Sequence, residues 1–389
     1  MKKVLAVLLV ITLLLGGVWY FFHDSITEVV DESGLRMLFT PLPEADVTPH
    51  TQKYFFSLLT EPQQQAYALI YDGLPDFPAE IKVPEISESD FNAVHTALIY
   101  DNPELFFLDN SVTMVFRTSY CLYRPTYRCT PQAYASMLAQ VEAVRNEIFS
   151  RIPADADDYT KEKIIHDSII SRCTYKESDY DAEVYGALVL GEAVCSGYAR
   201  ATKYLLDGAG IYNYLVTGDA YVDGSRESHM WNTVYIGDQP YYLDVTWDDG
   251  DFDGGAPGYA FFNITEEAAA STHLPQQPQT GGCVYRDYNY FIYEGRYLPY
   301  WNADAYYQLS DMLRASLTGG GRSFDVEFSS AQVLDAALED LIADQRIYRI
   351  LRTVSEDLTE AFDPSFINYS VNHEMQVLHL DFRENFGEV

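Results

Sequence analysis

Apolar residues recur at helical spacing through several stretches of the chain, and shorter alternating or continuous apolar runs between them read as strands. Glu61 to Asp72 and Ser89 to Tyr100 read as helices, and Leu105 to Leu108 and Ser111 to Arg117 as strands. Thr130 before Pro131 is a helix start, and Tyr134, Met137, Leu138, Val141, Val144 and Ile148 continue it on one face. A further helix spans Asp158 to Arg172. From about Asp155 to His273 the pattern changes to one short helix after Cys195, followed by strands dense in tyrosine, valine and tryptophan. Beyond it, Arg322 to Phe328 alternates like a strand and Ser330 to Val354 reads as one or two helices. Phe366 to Val371 and Gln376 to Phe382 read as two more strands, with Thr318-Gly319-Gly320-Gly321 as a hinge before this β-α-β-β tail. The expected organisation is a leader at 1–23, a linker at 24–49, an α+β unit at 50–151, a central domain at 152–285 and a small α+β unit at 286–389.

The leader changes the picture first. Lys2 and Lys3 precede an apolar run from Val4 to Phe22, the pattern of an export signal. No small-residue cleavage pattern closes the run, and its length approaches the roughly 20 residues that span a bilayer. The expectation is therefore an extracytoplasmic protein, either anchored in the membrane by its N-terminus or secreted. A net charge of −33 makes nucleic acid or an anionic membrane surface a poor partner. The 32 tyrosines serve strands and half-buried surfaces. Five cysteines in an exported chain leave one odd, a candidate functional thiol. Cys195 is that thiol; Cys121 with Cys129 and Cys173 with Cys283 are the expected disulfides, although four cysteines permit three pairings.

Cys195 lies between Gly191 and Tyr198, ahead of Ala199, Ala201, Leu205 and Leu206, so it opens a short helix closed by Gly208 and Gly210. A helix N-terminus presents unpaired N–H groups and a partial positive charge that stabilise negative charge on sulfur, and the same groups suit an oxyanion. His229 begins Ser228-His-Met-Trp-Asn-Thr-Val234, and Asp244 lies in Tyr241-Tyr-Leu-Asp-Val-Thr-Trp247. Gly237 and Asp238 between them form a two-residue hairpin turn. That register sets His229 opposite Thr246 and puts Asp244 on the face of His229, where a carboxylate fixes the imidazole tautomer and leaves its other nitrogen for a thiol.

Taken in order, Tyr185-Gly-Ala-Leu188, Val194-Cys-Ser-Gly-Tyr-Ala199, His229-Met-Trp-Asn-Thr-Val234 and Leu243-Asp-Val-Thr-Trp-Asp-Asp249 resemble the bacterial transglutaminase-like superfamily. So do Tyr259-Ala-Phe-Phe-Asn-Ile-Thr265 and His273. The resemblance implies an α+β, papain-like core, with the nucleophile on a helix packed on an antiparallel sheet and the His and Asp on adjacent strands. It carries the catalytic roles onto Cys195, His229 and Asp244, with no cofactor and no metal. The implied activity is cleavage or transfer of acyl groups at amide bonds of a protein, peptide or cell-wall peptide through a cysteine thioester. Water would make it a peptidase or amidase, a lysine amine a transglutaminase. The competing reading is a catalytically silent module that binds partners at the cell surface.

Other features rank lower. Asp249, Asp251 and Asp253 with Gly254 match the opening of an EF-hand loop, but Ala260 stands where a bidentate glutamate is needed, so the stretch reads as an acidic surface turn rather than a calcium site. His166 reads as a core or boundary residue, and Trp231 and Trp247 as packing. Asn263 and Asn368 fit the short glycosylation pattern.

Overall fold

The computed structural model describes residues 41–222, 225–250, 257–276 and 282–386. The apolar run Val4–Phe22, the first part of the linker, and Asp251 and Asp253 lie outside the described residues. Among the described residues no helix is long and apolar enough to cross a membrane. The chain forms two compact units: one takes 41–52, Leu58–His95 and Asn110–Thr126, the other Lys53–Ser57, Thr96–Asp109 and the chain from Tyr127 onward.

In the first unit Thr60 opens the helix Glu61–Gly73, and its backbone N–H donates to Gln63 Oε1 at 2.7 Å, closing off the helix start. The unit's sheet runs in the order Ile81–Val83, Cys121–Tyr127, Leu108–Phe116. The strand expected at Leu105–Leu108 is instead a 3-10 turn, Pro103–Leu105, with pairing beginning at Leu108. Leu105, Phe106, Phe107 and Leu108 are all buried, and so short an apolar run satisfies burial in either conformation.

The second unit holds the candidate site. Helix α1 (Asp158–Ile170) starts where the Asp157 carboxylate accepts the Thr160 N–H at 2.8 Å. Helix α2 (Cys195–Gly208) is buried almost all round, and its charged members are neutralised at once: Arg200 pairs with Glu183 at 3.0 Å and Lys203 with Asp207 at 3.0 Å. Strands β1 (Asn213–Val222), β2 (Ser225–Ile236) and β3 (Gln239–Leu243), helix α3 (Val245–Asp249) and strand β4 (His273–Pro275) follow. The strands form one antiparallel sheet in the order β3-β2-β1-β4. Gly237 (φ 57°) and Asp238 (φ 64°) are both left-handed, the two-residue turn whose twist suits a hairpin, and Ile236 pairs with Gln239 as the sequence requires. Pairing ends at Asn232 with Leu243, because the chain turns into α3 at Asp244. His229 is therefore not opposite Thr246; it pairs with Gly218 on β1, and Asp244 stands one residue beyond its strand as the cap of α3. Asn232 Nδ2 donates to the Ala199 carbonyl at 3.0 Å, tying the strand of the histidine to the helix of the cysteine.

The tail makes a sheet in the order Tyr297–Leu298, Ser323–Phe328, Val377–Asp381, Asn368–Asn372. Helices Ala303–Thr318, Ala331–Leu338 and Ile347–Ser355 accompany it, and Leu309, Leu313, Val326, Leu351 and Leu378 form its core. No disulfide joins any of the five cysteines, contrary to the two expected bridges. The three buried thiols are engaged in their own surroundings: Cys121 Sγ approaches the Ile86 carbonyl at 3.5 Å, Cys173 adjoins the Tyr198 hydroxyl, and burial pushes the Cys283 thiol up to about 12.

The start of α2 presses on the preceding loop. A Cβ at Gly197 would lie 2.1 Å from the Asp181 carbonyl oxygen, and Val194 N–H already donates to that oxygen at 3.0 Å. Gly197→Ala is expected to destabilise the fold by about 1–3 kcal/mol, or to move the first turn that carries Cys195. Chemical denaturation measures the first effect, and an unchanged midpoint with unchanged thiol reactivity would refute this account of the helix start.

Candidate active site

Cys195 occupies the first position of α2 and is half-buried, behind the extended residue Val194 (φ −101°, ψ 178°). In the first turn Val194 N–H donates to the Asp181 carbonyl and Gly197 N–H to the Val194 carbonyl at 2.9 Å, so the N–H groups of Cys195 and Ser196 are the ones at the helix start beside the sulfur. His229 Nε2 lies 2.6 Å from Asp244 Oδ2, and Cys195 adjoins the same ring. All three residues named from the sequence thus meet, in the order thiol, imidazole, carboxylate.

The carboxylate of Asp244 takes four N–H donors. Oδ1 accepts Thr246 N at 3.0 Å and Trp247 N at 3.3 Å, the two capping bonds of α3. Oδ2 accepts His229 Nε2 and, at 2.9 Å, His273 Nε2. Burial alone would raise this carboxyl, but the two histidines overcome it and hold Asp244 well below the usual carboxylate range. Burial works against a charged His229 as well; the charge and hydrogen bond of Asp244, helped by Cys195, outweigh it and raise the ring to about 10. His273 moves the other way, lowered chiefly by burial. Its Nδ1 lies 2.8 Å from the Thr272 hydroxyl oxygen, which itself donates to the Ala269 carbonyl at 3.1 Å. Trp231, Trp247 and Phe261 close around the two imidazoles, with Trp231 5.8 Å from His229 and Trp247 4.6 Å from His273.

Residues 146–247 match the model of the transglutaminase-like superfamily. Over that stretch the chain is similar to the transglutaminase-like superfamily. Among solved structures it is similar to a TGase, at 11% identity over 43% of this chain and 50% of the other, with a TM-score of 0.26. It is also similar to a candidate cysteine protease from Cytophaga hutchinsonii, at 13% identity over 35% and 61%, TM-score 0.25. A third, a candidate protease from Parabacteroides distasonis, is 14% identical over 35% and 30%, TM-score 0.22. The chain thus spans between 30% and 61% of the length of these structures. None of the curated proteins compared with the chain matches it.

Around Cys195, His229 and Asp244 runs a buried polar network. His166 is a core residue, as its helical setting suggests, with Nε2 3.1 Å from Asp248 Oδ2 and Nδ1 3.0 Å from Asp167 Oδ1. Burial opposes its charge, but the two carboxylates raise it to about 9. Asp248 also accepts the Phe261 N–H at 2.8 Å, and Asp249 accepts the hydroxyl of Tyr198 on α2. Asp249 is buried, so it does not belong to an acidic surface turn; its partner on α2 draws it inward. Asn263 is buried too, its amide donating to Glu162 Oε2 at 2.7 Å, which removes it as a surface glycosylation site.

His273 is the residue of this cluster whose contact with Asp244 the sequence did not disclose. It sits on a three-residue strand too short to show periodicity, and its signal was its place at the end of the ordered motifs. His229, Asp244 and His273 offer ligand atoms within 4.8 Å of one another, a donor set that would suit a transition-metal ion. At 2.6 and 2.9 Å, however, each nitrogen and oxygen share a proton rather than an ion.

The shifts fix a pH dependence. His229 is raised above its unfolded value near 6.5, so its contribution to stability is complete below about pH 6.5 and fades as pH rises through about 10. Asp244 is lowered, so its contribution is present above about pH 3.9 and fades on acidification. Asp244→Asn is expected to cost about 3 kcal/mol near pH 6, and the gap from wild type should narrow toward pH 10. Urea denaturation at several pH values measures it; a gap that does not change with pH would mean that the two residues form no ion pair.

Proposed function

We propose that the chain is an extracytoplasmic thiol enzyme that cleaves or transfers acyl groups at amide bonds of protein or peptide substrates. The observation that carries this reading is the single imidazole of His229, held by Asp244 at Nε2 and adjoined by Cys195. The leader from Val4 to Phe22 supports placement outside the membrane, anchored or released.

The reaction follows from the positions. The Cys195 thiolate attacks the amide carbonyl carbon, and the C=O pair moves onto oxygen as an S–C bond forms. N–H groups of the first turn of α2 face the developing oxyanion. His229 gives its Nδ1 proton to the amide nitrogen, the C–N bond breaks, and a free amine leaves a thioester on Cys195. His229 then takes a proton from water or an incoming lysine amine as its oxygen or nitrogen attacks the thioester carbonyl; the S–C bond breaks, the acyl group leaves on that oxygen or nitrogen, and the Cys195 thiolate is regenerated beside the protonated ring. Asp244 never needs to accept a proton, because its four N–H donors stabilise the anion throughout. The buried aromatic wall of Trp231 and Phe261 keeps the charge pair in a low-dielectric setting.

The test is incubation of the protein with glutamine-containing casein and a labelled amine, following both amine incorporation and release of peptide or ammonia. Wild type is expected to give at least one of the two, Cys195→Ala neither, and His229→Ala a rate lower by roughly 10²–10⁴. Turnover that persists in Cys195→Ala would remove the thioester route, and amine incorporation without hydrolysis would select transamidation.

A further inference from the structure

Apart from the triad, the second unit contains a cavity of about 530 Å³, within the range of small-molecule sites. None of the triad residues lines it. Its wall combines tyrosine rings, hydroxyls from Thr160, Ser316 and Ser323, and the charged residues Lys163, Arg296, Arg322, Glu294 and Asp325. In a chain with 58 acidic and 25 basic side chains, the state of those cations is informative. Lys163 is held by Asp167 at 2.9 Å and Arg322 by Glu360 at 2.6 Å. Arg296 has no carboxylate partner among the described residues. Its guanidinium lies 5.4 Å from the centre of the Tyr290 ring and 4.5 Å from that of Phe324, and Tyr290 in turn stacks on Tyr259 at 3.8 Å.

A guanidinium held between aromatic rings is fixed in orientation before any ligand arrives, and its free donors match a carboxylate. Asp325 is taken up by His379 at 2.6 Å, whereas Glu294 accepts, among the described residues, the Tyr159 hydroxyl at 3.2 Å and keeps acceptor capacity for hydroxyl groups. Tyr293 on the same wall is 45% exposed and offers a ring face. The space exceeds that of a bare anion, and the mixture of tyrosine faces, hydroxyls and one free carboxylate suits a hydroxylated ring.

We propose that this cavity is an accessory binding site for a sugar acid, whose carboxylate pairs with Arg296 and whose hydroxylated ring lies among the tyrosines. The site is independent of the thiol chemistry, so the two readings can fail separately. Calorimetric titration of the full chain with glucuronate, glucose and inorganic phosphate tests it. Glucuronate is expected to saturate, with glucose and phosphate at least about tenfold weaker. Arg296→Gln should weaken glucuronate by about tenfold or more, Arg296→Lys by less because the charge stays but the fork is lost, and Cys195→Ala should bind as wild type does. Near-UV circular dichroism checks that the Arg296→Gln variant is folded, and if it is not, the Arg296→Lys comparison decides. Absence of saturable glucuronate binding, binding that neither Arg296 substitution weakens, loss of binding in Cys195→Ala, or phosphate binding as tight as glucuronate would each overturn the proposal.

Discussion

The carboxylate of Asp244 receives two backbone N–H groups at the start of α3 and two imidazole N–H groups from β2 and β4, all within a buried aromatic wall. The end of the β2–β3 hairpin, the first turn of α3 and the short strand β4 all converge on that one group. A buried charge is costly unless fully hydrogen-bonded, and here every donor also fixes a piece of backbone. The same carboxylate determines which nitrogen of His229 carries the proton toward it, and hence which nitrogen faces Cys195. Local fold and chemistry therefore rest on the same four hydrogen bonds.

Much of this was legible in the chain. The Gly237-Asp238 turn fixed the hairpin register to the residue, Thr130-Pro131 and the Cys195 segment marked helix starts, and the ordered motifs pointed to the region that the family model matches. What was not legible has physical causes. Strand parity put Asp244 on the correct side for the wrong reason: the residue caps a helix, and Val245-Thr-Trp247 reads as strand because β-branched and aromatic residues favour strands until a capping carboxylate overrides them. The role of His273 was hidden because a three-residue strand shows no period, and its partner lies far away in sequence. The cysteine arithmetic failed because counting thiols carries no information on direction; Cys121, Cys173 and Cys283 are buried and act as small core residues.

The surrounding network extends the same logic outward. His166 joins Asp167 and Asp248 beneath the catalytic turn, and Asn232 and Tyr198 connect the sheet and α3 to α2. In a chain so rich in carboxylates, Asp248, Asp249 and Glu162 are drawn into the core and met there by an imidazole, a hydroxyl and an amide, and Glu183 by the Arg200 guanidinium. The core thus uses acidity for positioning, and Asp244 is the member of that set that reaches the reacting atoms through one intervening ring.

The most direct test of the account is the rate at which iodoacetamide alkylates Cys195 at neutral pH, compared with a free thiol peptide and with the Asp244→Asn variant. If Asp244 holds His229 as the charged partner of the sulfur, wild-type Cys195 should react at least about tenfold faster than the peptide, and the variant should fall toward the peptide rate. Equal rates for wild type and peptide, or a variant as fast as wild type, would contradict it.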